Sequence, residues 1–529
     1  MVKDTDNNKN TCKAKYDRLI NERNSFLDRA RKCSKITIPT LIPPDGHKGS
    51  DEFYTPWQSV GARGVNNLAS KLLLALLPPN SPFFRLVVDD HTMEELSGGV
   101  GNRGKIEKAL QKIERIIQTE IESSGSRASV FLALKHLIVG GNSLLYLPAS
   151  GGMRVFPLES YVCQRDTSGN VLEVLIREKV HPETLPQDIL DFLAEDTLEQ
   201  PREKPLLGHE EDVELYTRFY RDGQRWRLYQ EISGRIIPGS QGSWPIEKTP
   251  MLPLRWVPVE GESYGRSYVE EYLGDLVSLE GLSQAIFDAA ASSSKLIFMV
   301  RPGATTHIED LAEAESGDFV MGDHDDIKCL QAEKYADLRI ANDAAKVLTE
   351  RLSLAFLLNS AVQRNGERVT AEEIRYVAGE LEDALGGVYT VLGADFQYPY
   401  IVREMDRLQK KKKLPALPKN AVKPQIVTGL QALGRGHDLN KLTGFMQLVS
   451  QMGPEALQML NPGELLTRVA TAMMIDPNGL IQTQEEIQQR QQAQQEQAQQ
   501  AQMMDIAGKA APSAVKAISD QMQGAQPQA

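Results

Sequence analysis

The chain has 529 residues, enough to bury a large core and to divide into several domains. Its 59 lysines and arginines are outnumbered by 71 aspartates and glutamates, which gives a formal net charge of −12. Binding of nucleic acid over the whole surface is therefore not expected, because neutralising phosphates needs a basic surface. Any DNA contact must be local. None of the four cysteines are paired at CxxC spacing, so free thiols are expected rather than a zinc site.

The first part of the chain is predicted to be helical up to the glycine pair at 140 and 141. Apolar residues recur at the spacing of one helix face in segments 12–35, 57–77, 105–123 and 127–139, and strand composition begins at 143–147. The polar N-terminus is not of the signal-peptide type, and the apolar run at 72–77 is too short to span a bilayer. We therefore expect synthesis in a cytoplasm and no membrane contact.

Residues 152–260 predict a mixed sheet with turns, interrupted by helix signals at 181–199. The strongest local signal is the pair Asp222-Gly223 between two alternating runs, which predicts a hairpin.

The following segment predicts two long helices separated by a small insertion. Ser267 with Glu270 fits a capping box that opens the first helix. A small β or αβ insertion spans 295–334, and Asp337 is expected to cap the second helix. At about 1.5 Å per residue, each helix is expected to be about 35–40 Å long.

A polar, basic loop follows the second long helix. It consists of Gln363, Arg364, Asn365, Gly366, Glu367 and Arg368. Its Asn-Gly tip tolerates positive φ at little cost, and Thr370 with Glu373 fits a capping box for the next helix. An ordered basic loop between two helices indicates presentation of charge to a polyanion. The alternative is an exposed turn with incidental charge.

The helix from 371 contains Gly386-Gly387, which predicts a kink or close packing. The run Lys410, Lys411, Lys412 and Lys413 is either a basic helix end that complements the macrodipole or a contact to DNA or a partner. Residues 425–475 return to helical spacing. From Gln482 the chain is rich in Gln and Ala, which indicates a supported polar helix or a disordered tail.

The motifs typical of enzymes are incomplete. Gly99 to Lys105 fits the first seven positions of a P-loop, but Ile106 stands where magnesium binding needs Ser or Thr. His209 and His324 lie in acidic turns without the spacing of a zinc helix, so neither a metal nor a cofactor is expected. No nucleophile elbow is present, and no catalytic residue is assigned.

Four long segments resemble the portal, or head-to-tail connector, proteins of short-tailed phages. They are Thr55–Leu72, Gly261–Leu276, Asn359–Val377 and Gly429–Leu439. The resemblance implies an α+β, mainly helical portal fold with wing, stem, clip and crown, assembled as a ring around a central channel. The family's rings usually have twelve subunits. They stand at one capsid vertex, where double-stranded DNA is packaged by the terminase motor and later leaves through the tail.

The resemblance also implies a domain map. Its parts are wing 1–262, stem helix 263–294, clip 295–334, second stem helix 335–359, tunnel loop 360–370, returning wing 371–419, crown 420–480 and Gln-rich tail 481–529. Gln363 to Arg368 would then point into the channel beside DNA. The clip is the candidate for terminase docking through Arg301, Asp323, His324, Asp325 and Asp326.

The partners implied are other copies of the chain, DNA and further virion proteins. The proteins are the terminase large subunit, a tail adaptor or tail tubular protein, the major capsid and scaffolding proteins, and internal core proteins. The protein would lie in the virion at the portal vertex after synthesis in the host cytoplasm. Two alternatives remain: a packaging nuclease or ATPase, and a monomeric helical adaptor whose apolar stripes form ordinary intramolecular core.

Overall fold

The computed structural model describes most of the first 430 residues and short pieces beyond. The described residues are 11–79, 83–88, 103–191, 212–293, 297–330, 335–358, 371–415, 422–426 and 444–451, with positions 463, 465, 466 and 469. The chain divides into two compact units, Met1–Leu430 and Gln431–Ala529. In the second unit, residues 444–451 form a helix.

The N-terminal half begins with four helices close to the predicted positions. They are α1 Cys12–Ile36, α2 Val60–Leu76, α3 Arg103–Ser123 and α4 Ser126–Gly140. The Thr11 hydroxyl accepts a hydrogen bond from the Ala14 amide and caps the start of α1. Helix α4 ends at Gly141, whose φ of 72° and close approach to the Gly265 carbonyl require glycine.

The sheets of the first unit are antiparallel. The strands are β1 Phe84–Val88, β2 Asn142–Tyr146, β3 Arg154–Phe156, β4 Tyr161–Arg165, β5 Val171–Val180, β6 Val213–Asp222, β7 Arg225–Ile232, β8 Arg235–Ile236, β9 Gly242–Pro245 and β10 Met251–Arg255. Strand β2 lies between β10 and β3, while β4 to β8 follow chain order in a second sheet with β9 on β7. The predicted hairpin is confirmed, because Asp222 pairs with Arg225 across the β6–β7 turn.

The principal core lies where α1, α2 and α4 meet β2 and β10. Its largest fully buried side chains include Trp256, Phe84, Leu68 and Leu72. A smaller cluster joins the start of α1 to the second sheet through Tyr16, Val162 and Leu175. The fold therefore mixes helices with antiparallel sheets, as the α+β prediction requires.

Two long helices and a small insertion follow. They are α5 Tyr268–Glu271, α6 Leu273–Ser293, β11 Ile297–Val300, α7 Ile308–Glu313, β12 Ile327–Leu330 and α8 Tyr335–Ala355. Helices α9 Ala371–Leu392 and α10 Tyr398–Lys410 complete this part, with a π-helical turn at Gly393–Gln397 between them. Leu385 leaves helical geometry directly before Gly386, so the predicted kink is confirmed.

Several sequence expectations for the long helices were wrong in detail. The first helix breaks at Tyr272, where φ is −108° and ψ is 10°, although the apolar periodicity continues through the break. Ser267 caps α5 by accepting from the Glu270 amide, but the Glu270 carboxylate pairs with Arg29. Helix α8 begins at Tyr335, two residues before the expected cap. Both α6 and α8 have 21 residues, so each is about 31 Å long rather than 35–40 Å.

A second difference concerns residues 422–426, of which the last two were predicted to be helical. Val422–Ile426 forms strand β13, paired antiparallel with β1, and Pro424 stands opposite Leu86. Proline in a short run normally indicates a break, but an edge strand tolerates it where its missing amide is not needed.

Candidate functional site

The basic loop Gln363–Arg368 lies outside the described residues, as do Thr370 and the segments 92–102 and 359–370. The structure does describe the two helices that flank this loop. It shows how the end of α8 at residues 355–358 and helix α9 are held, and this base is the first part of the candidate site.

The end of α8 is capped by side chains from helix α2. The Asn67 amide nitrogen donates to the carbonyls of Phe356 and Leu357, both at 3.0 Å. Lys71 Nζ donates to the Leu357 carbonyl at 2.8 Å. The Tyr268 hydroxyl donates to the Ala355 carbonyl at 2.7 Å. Carbonyls at the end of a helix lack intrahelical partners, so these donors satisfy them and fix where the chain leaves α8.

Lys71 also reaches the helix that follows the loop. Its Nζ lies 2.9 Å from Glu380 Oε2, and the two side chains are only 7% and 21% exposed. One largely buried cation therefore joins α2, the end of α8 and α9. A cation at the C-terminus of a helix is also favoured by the helix dipole.

Phe356 anchors the same point in the core. Its ring packs edge-on against Tyr268 at a centroid distance of 5.7 Å and tilted against Tyr272 at 6.0 Å. A Cβ placed on Gly64 of α2 would lie 2.5 Å from the ring of Phe356. The glycine therefore permits α2 to approach closely. Leu357, directly after, adopts a φ of 54°, which is costly for a leucine and turns the chain away from the helix.

The two long helices pack against each other but leave an apolar stripe exposed in the part of the chain that the structure describes. Arg351 of α8 pairs with Asp275 of α6 at 3.0 Å. On another face of α8, the side chains of Ile340, Val347 and Leu354 are each more than half exposed. Their spacing of seven residues places them on one side of the helix. On α6, Val277 and Phe287 are also more than half exposed.

The insertion between the long helices is organised around Asp326. Its carboxylate oxygen Oδ2 accepts from the amides and hydroxyls of Thr305 and Thr306, at 2.9–3.3 Å. The Arg301 amide donates to the Asp326 carbonyl at 2.9 Å. Burial opposes ionisation of this carboxyl, but the hydrogen bonds from Thr306 and Thr305 outweigh it and lower its pKa. Asp326 therefore holds the loop together from inside.

The rest of the insertion is exposed, acidic and tipped with apolar side chains. Phe319 and Met321 are 103% and 92% exposed. Asp323, His324 and Asp325 are also exposed, and each brings a potential ligand atom within 4.8 Å of the other two. Exposed acidic groups of this kind are ordinary surface features, so the cluster alone assigns no metal.

Three members of the basic run find partners inside the chain. Lys410 pairs with Asp406 at 2.7 Å, Lys413 pairs with Glu120 at 2.7 Å, and Lys411 donates to the Ser150 carbonyl at 2.8 Å. Lys412 is exposed with a φ of 57°. The run thus joins the end of α10 to other parts of the first unit, and DNA contact stays a prediction.

Cysteine chemistry is disfavoured at the described thiols. Cys12, Cys33 and Cys163 are free and buried, and burial raises the pKa of Cys12 to about 12 and that of Cys33 to about 11. The thiolate form that a nucleophile needs is therefore scarce at neutral pH. Among the helices of the described ranges, none combines the length and apolar character needed to cross a membrane.

Comparison with known proteins places the chain in a family. Residues 9–481 match the family of the bacteriophage head to tail connecting protein. The chain belongs to this family. The chain is 44% identical over 487 residues to the portal protein of Escherichia phage T7, covering 90% of this chain and 89% of that one. It is 43% identical over 484 residues to the portal protein of Enterobacteria phage T3, covering 90% of this chain and 89% of that one.

A more distant phage relative agrees. The chain is 31% identical over 505 residues to the portal protein of Enterobacteria phage SP6, covering 95% of both chains. A solved structure of the neck of an empty GTA particle matches at 10% identity and a TM-score of 0.36, covering 84% of this chain and 94% of that chain. The prediction of a phage head-to-tail connector of the portal type is confirmed by the family and the phage relatives.

Sequence reasoning missed the side chains that hold the base of α8. Asn67 and Lys71 lie within a segment that carried the family resemblance, but neither was assigned a role. The available signal was their spacing of four residues beside the apolar face of the helix. A buried lysine on such a face needs a partner, although its identity depends on residues about 290 and 310 positions away.

Proposed function

We propose that the protein assembles as a ring, of about twelve copies by the family resemblance, and acts as the portal through which double-stranded DNA enters and leaves a phage capsid. The observation that carries the proposal is its 44% identity, over nine-tenths of the chain, to a protein named as a portal. The ring would stand at the portal vertex of the virion. Its role would be structural rather than enzymatic.

The exposed stripe on α8 supports self-assembly. Ile340, Val347 and Leu354 form an apolar row at heptad spacing, which a monomer in water would leave unfavourably exposed. A closed ring needs two different faces that contact each other around a rotation axis. We propose that the α8 stripe of one copy packs against the exposed face of α6, with Val277 and Phe287, in the next copy.

Electron microscopy of negatively stained protein, with mass from light scattering, tests the assembly. The wild type is expected to form rings with a central hole. Val347→Glu places a charge in the proposed interface and is expected to give folded monomers or open assemblies. Lys346→Glu introduces the same side chain one position away and should leave the rings intact. Rings of unchanged mass from Val347→Glu would contradict this interface.

For DNA passage we propose that Arg364 and Arg368 form a ring of basic points around the channel. The acidic balance of the chain favours sliding, because a channel lined throughout with cations would hold the phosphates. Replacing both arginines with alanine is expected to leave assembly intact and to reduce the DNA content of particles. The same double change at the exposed basic residues Arg339 and Lys346 of α8 is the control. Wild-type DNA content in the Arg364/Arg368 variant would contradict the proposal.

For docking we propose that the insertion 297–330 receives the terminase large subunit during packaging and the tail adaptor or tail tubular protein afterwards. Phe319 and Met321 would supply apolar anchors within an acidic rim, which suits a partner with an apolar pocket and basic edges. Phe319→Ser with Met321→Ser should leave rings intact and prevent tail attachment. Tail attachment at the wild-type level would contradict this role. The major capsid, scaffolding and internal core proteins would contact other surfaces of the ring.

A further inference from the structure

The base of α8 contains a charged contact that joins both sides of the proposed DNA-contacting loop. We infer that Lys71 is a positioning residue: it latches the end of α8 to α9 through Glu380 and so sets the two points between which residues 359–370 are held. The inference rests on the proposed role of that loop in DNA passage. It assigns a role in DNA passage to Lys71 of helix α2, a residue outside the loop.

The geometry of Lys71 distinguishes this contact from an ordinary surface ion pair. Its ammonium group makes a charge-assisted hydrogen bond to the Leu357 carbonyl at 2.8 Å and an ion pair to Glu380 at 2.9 Å. With 7% of the side chain exposed, solvent screens the charge little, and loss of one partner leaves the other charge buried. Ion pairs on the surface contribute much less to stability, since water and salt weaken them.

The position of the latch explains why it would act on the loop. Leu357 is one residue before the last described residue of α8's end, and its backbone turns there with a φ of 54°. Glu380 lies nine residues into α9, about 14 Å from the helix start at about 1.5 Å per residue. The contact therefore fixes the exit of one helix against the body of the next.

Neighbouring side chains supply further hydrogen bonds to the end of α8. Asn67 donates to the carbonyls of Phe356 and Leu357, and Tyr268 donates to Ala355. Loss of Lys71 would therefore leave the end of α8 capped by these donors while removing the ion pair to Glu380 of α9. This difference allows the latch to be separated from the general stability of the base.

Hydrogen–deuterium exchange of assembled rings tests the latch directly. Lys71→Met keeps the length of the side chain and removes its charge, and Glu380→Gln keeps an acceptor while removing the opposite charge. Both are expected to speed amide exchange in peptides spanning 359–370 by about tenfold or more, the scale of one lost charge-assisted hydrogen bond. Peptides from α4 should be unchanged. Lys346→Met, which removes an exposed ion pair with Asp343 on α8, is the matched control.

Unchanged exchange at 359–370 in both Lys71→Met and Glu380→Gln rings would overturn the latch. Where Lys71→Met does not assemble, Glu380→Gln alone decides, because it keeps a hydrogen-bonding group at the site. If the latch positions the loop for DNA passage, the variant with the faster amide exchange at 359–370 should also give particles with less DNA.

The DNA measurement separates this inference from the proposed function. If Arg364→Ala with Arg368→Ala lowers DNA content but the latch variants do not, the role of Lys71 in DNA passage is overturned. If the arginine changes have no effect while exchange still rises in the latch variants, the latch stands and the proposed loop function fails.

Discussion

The two ends of the long-helix pair are held in different ways. At the base, the carbonyls that end α8 accept hydrogen bonds from Asn67, Lys71 and Tyr268, which lie far away in sequence. At the insertion, Asp326 is held by Thr305 and Thr306 from the same short segment. The base therefore depends on the rest of the fold, whereas the insertion organises itself and leaves its outer side chains to solvent. Changes at the base should cost stability, and changes on the insertion should cost recognition.

A matched pair of phenylalanines gives the largest expected contrast. Phe356 is fully buried against Tyr268 and Tyr272, whereas Phe319 is fully exposed. We expect Phe356→Ala to lower the free energy of unfolding by about 3–5 kcal/mol through the cavity it leaves. Phe319→Ala should change it by less than about 0.5 kcal/mol. Calorimetry of both variants in the same assembly state measures the difference, and equal losses would show that the two regions are not held differently.

Acid should weaken helix α4 of the core and the insertion at different pH values. Burial lowers the pKa of His136 in α4 from 6.5 to about 4, and its Nδ1 has no hydrogen-bond partner among the described residues. Below pH 6.5 the unfolded chain binds the proton more strongly, so stability falls between pH 6.5 and 4. The loss is about 3 kcal/mol at about 1.4 kcal/mol per pKa unit.

The insertion should withstand this range. The lowered pKa of Asp326 means that its contribution is complete above the ordinary value of 3.8 and is lost only as pH falls through the lower folded value. Hydrogen exchange in α4 and in 297–330 between pH 7 and 3 measures both. His136→Leu should remove the dependence between pH 6.5 and 4, and Asp326→Asn the dependence below it. Simultaneous opening of both regions near pH 5 would contradict the separation.

The same contrast explains what the sequence could and could not predict. The β6–β7 hairpin, the kink before Gly386 and the αβ character of the insertion follow from neighbouring residues, and these predictions were correct. The pairing of β13 with β1 joins segments more than 300 residues apart in sequence. Pro424 also argued against a strand at this position. Likewise, the sequence of a lysine run does not show whether its side chains are free in solvent or paired within the chain. Lys410 and Asp406 pair at i,i+4 spacing within α10, whereas only the fold places Lys413 beside Glu120.

The loop that first indicated a polyanion contact shows the same limit. Arg364 and Arg368 could be selected from sequence because a polar, basic turn between two helices is a local pattern. Lys71 could not, because its partners Leu357 and Glu380 come near it only when α2, α8 and α9 pack together. The sequence thus pointed to the side chains proposed for contact, while the residues that position them required the structure.

Two glycines give the smallest expected effect and test the close packing at the base. A Cβ on Gly64 would lie 2.5 Å from the Phe356 ring, whereas a Cβ on Gly281 in α6 would meet nothing within 4 Å. Gly64→Ala should therefore destabilise by about 1–3 kcal/mol through overpacking. Gly281→Ala should stabilise by about 0.5–1 kcal/mol, because alanine loses less backbone entropy in a helix.

Combining Gly64→Ala with Phe356→Ala decides whether the ring of Phe356 is the cause. The cost of Gly64→Ala should fall in the Phe356→Ala background, since most of the crowding atoms are gone, and the two changes should be non-additive. Additive costs would place the strain at the Cβ of residue 356, 2.8 Å away and kept in the alanine variant, or elsewhere on α2. A destabilising Gly281→Ala would instead show that the exposed side of α6 is covered in the assembly. That result would make the middle of the helix pair a packed region as well, so the contrast would then lie between the helix pair and the insertion.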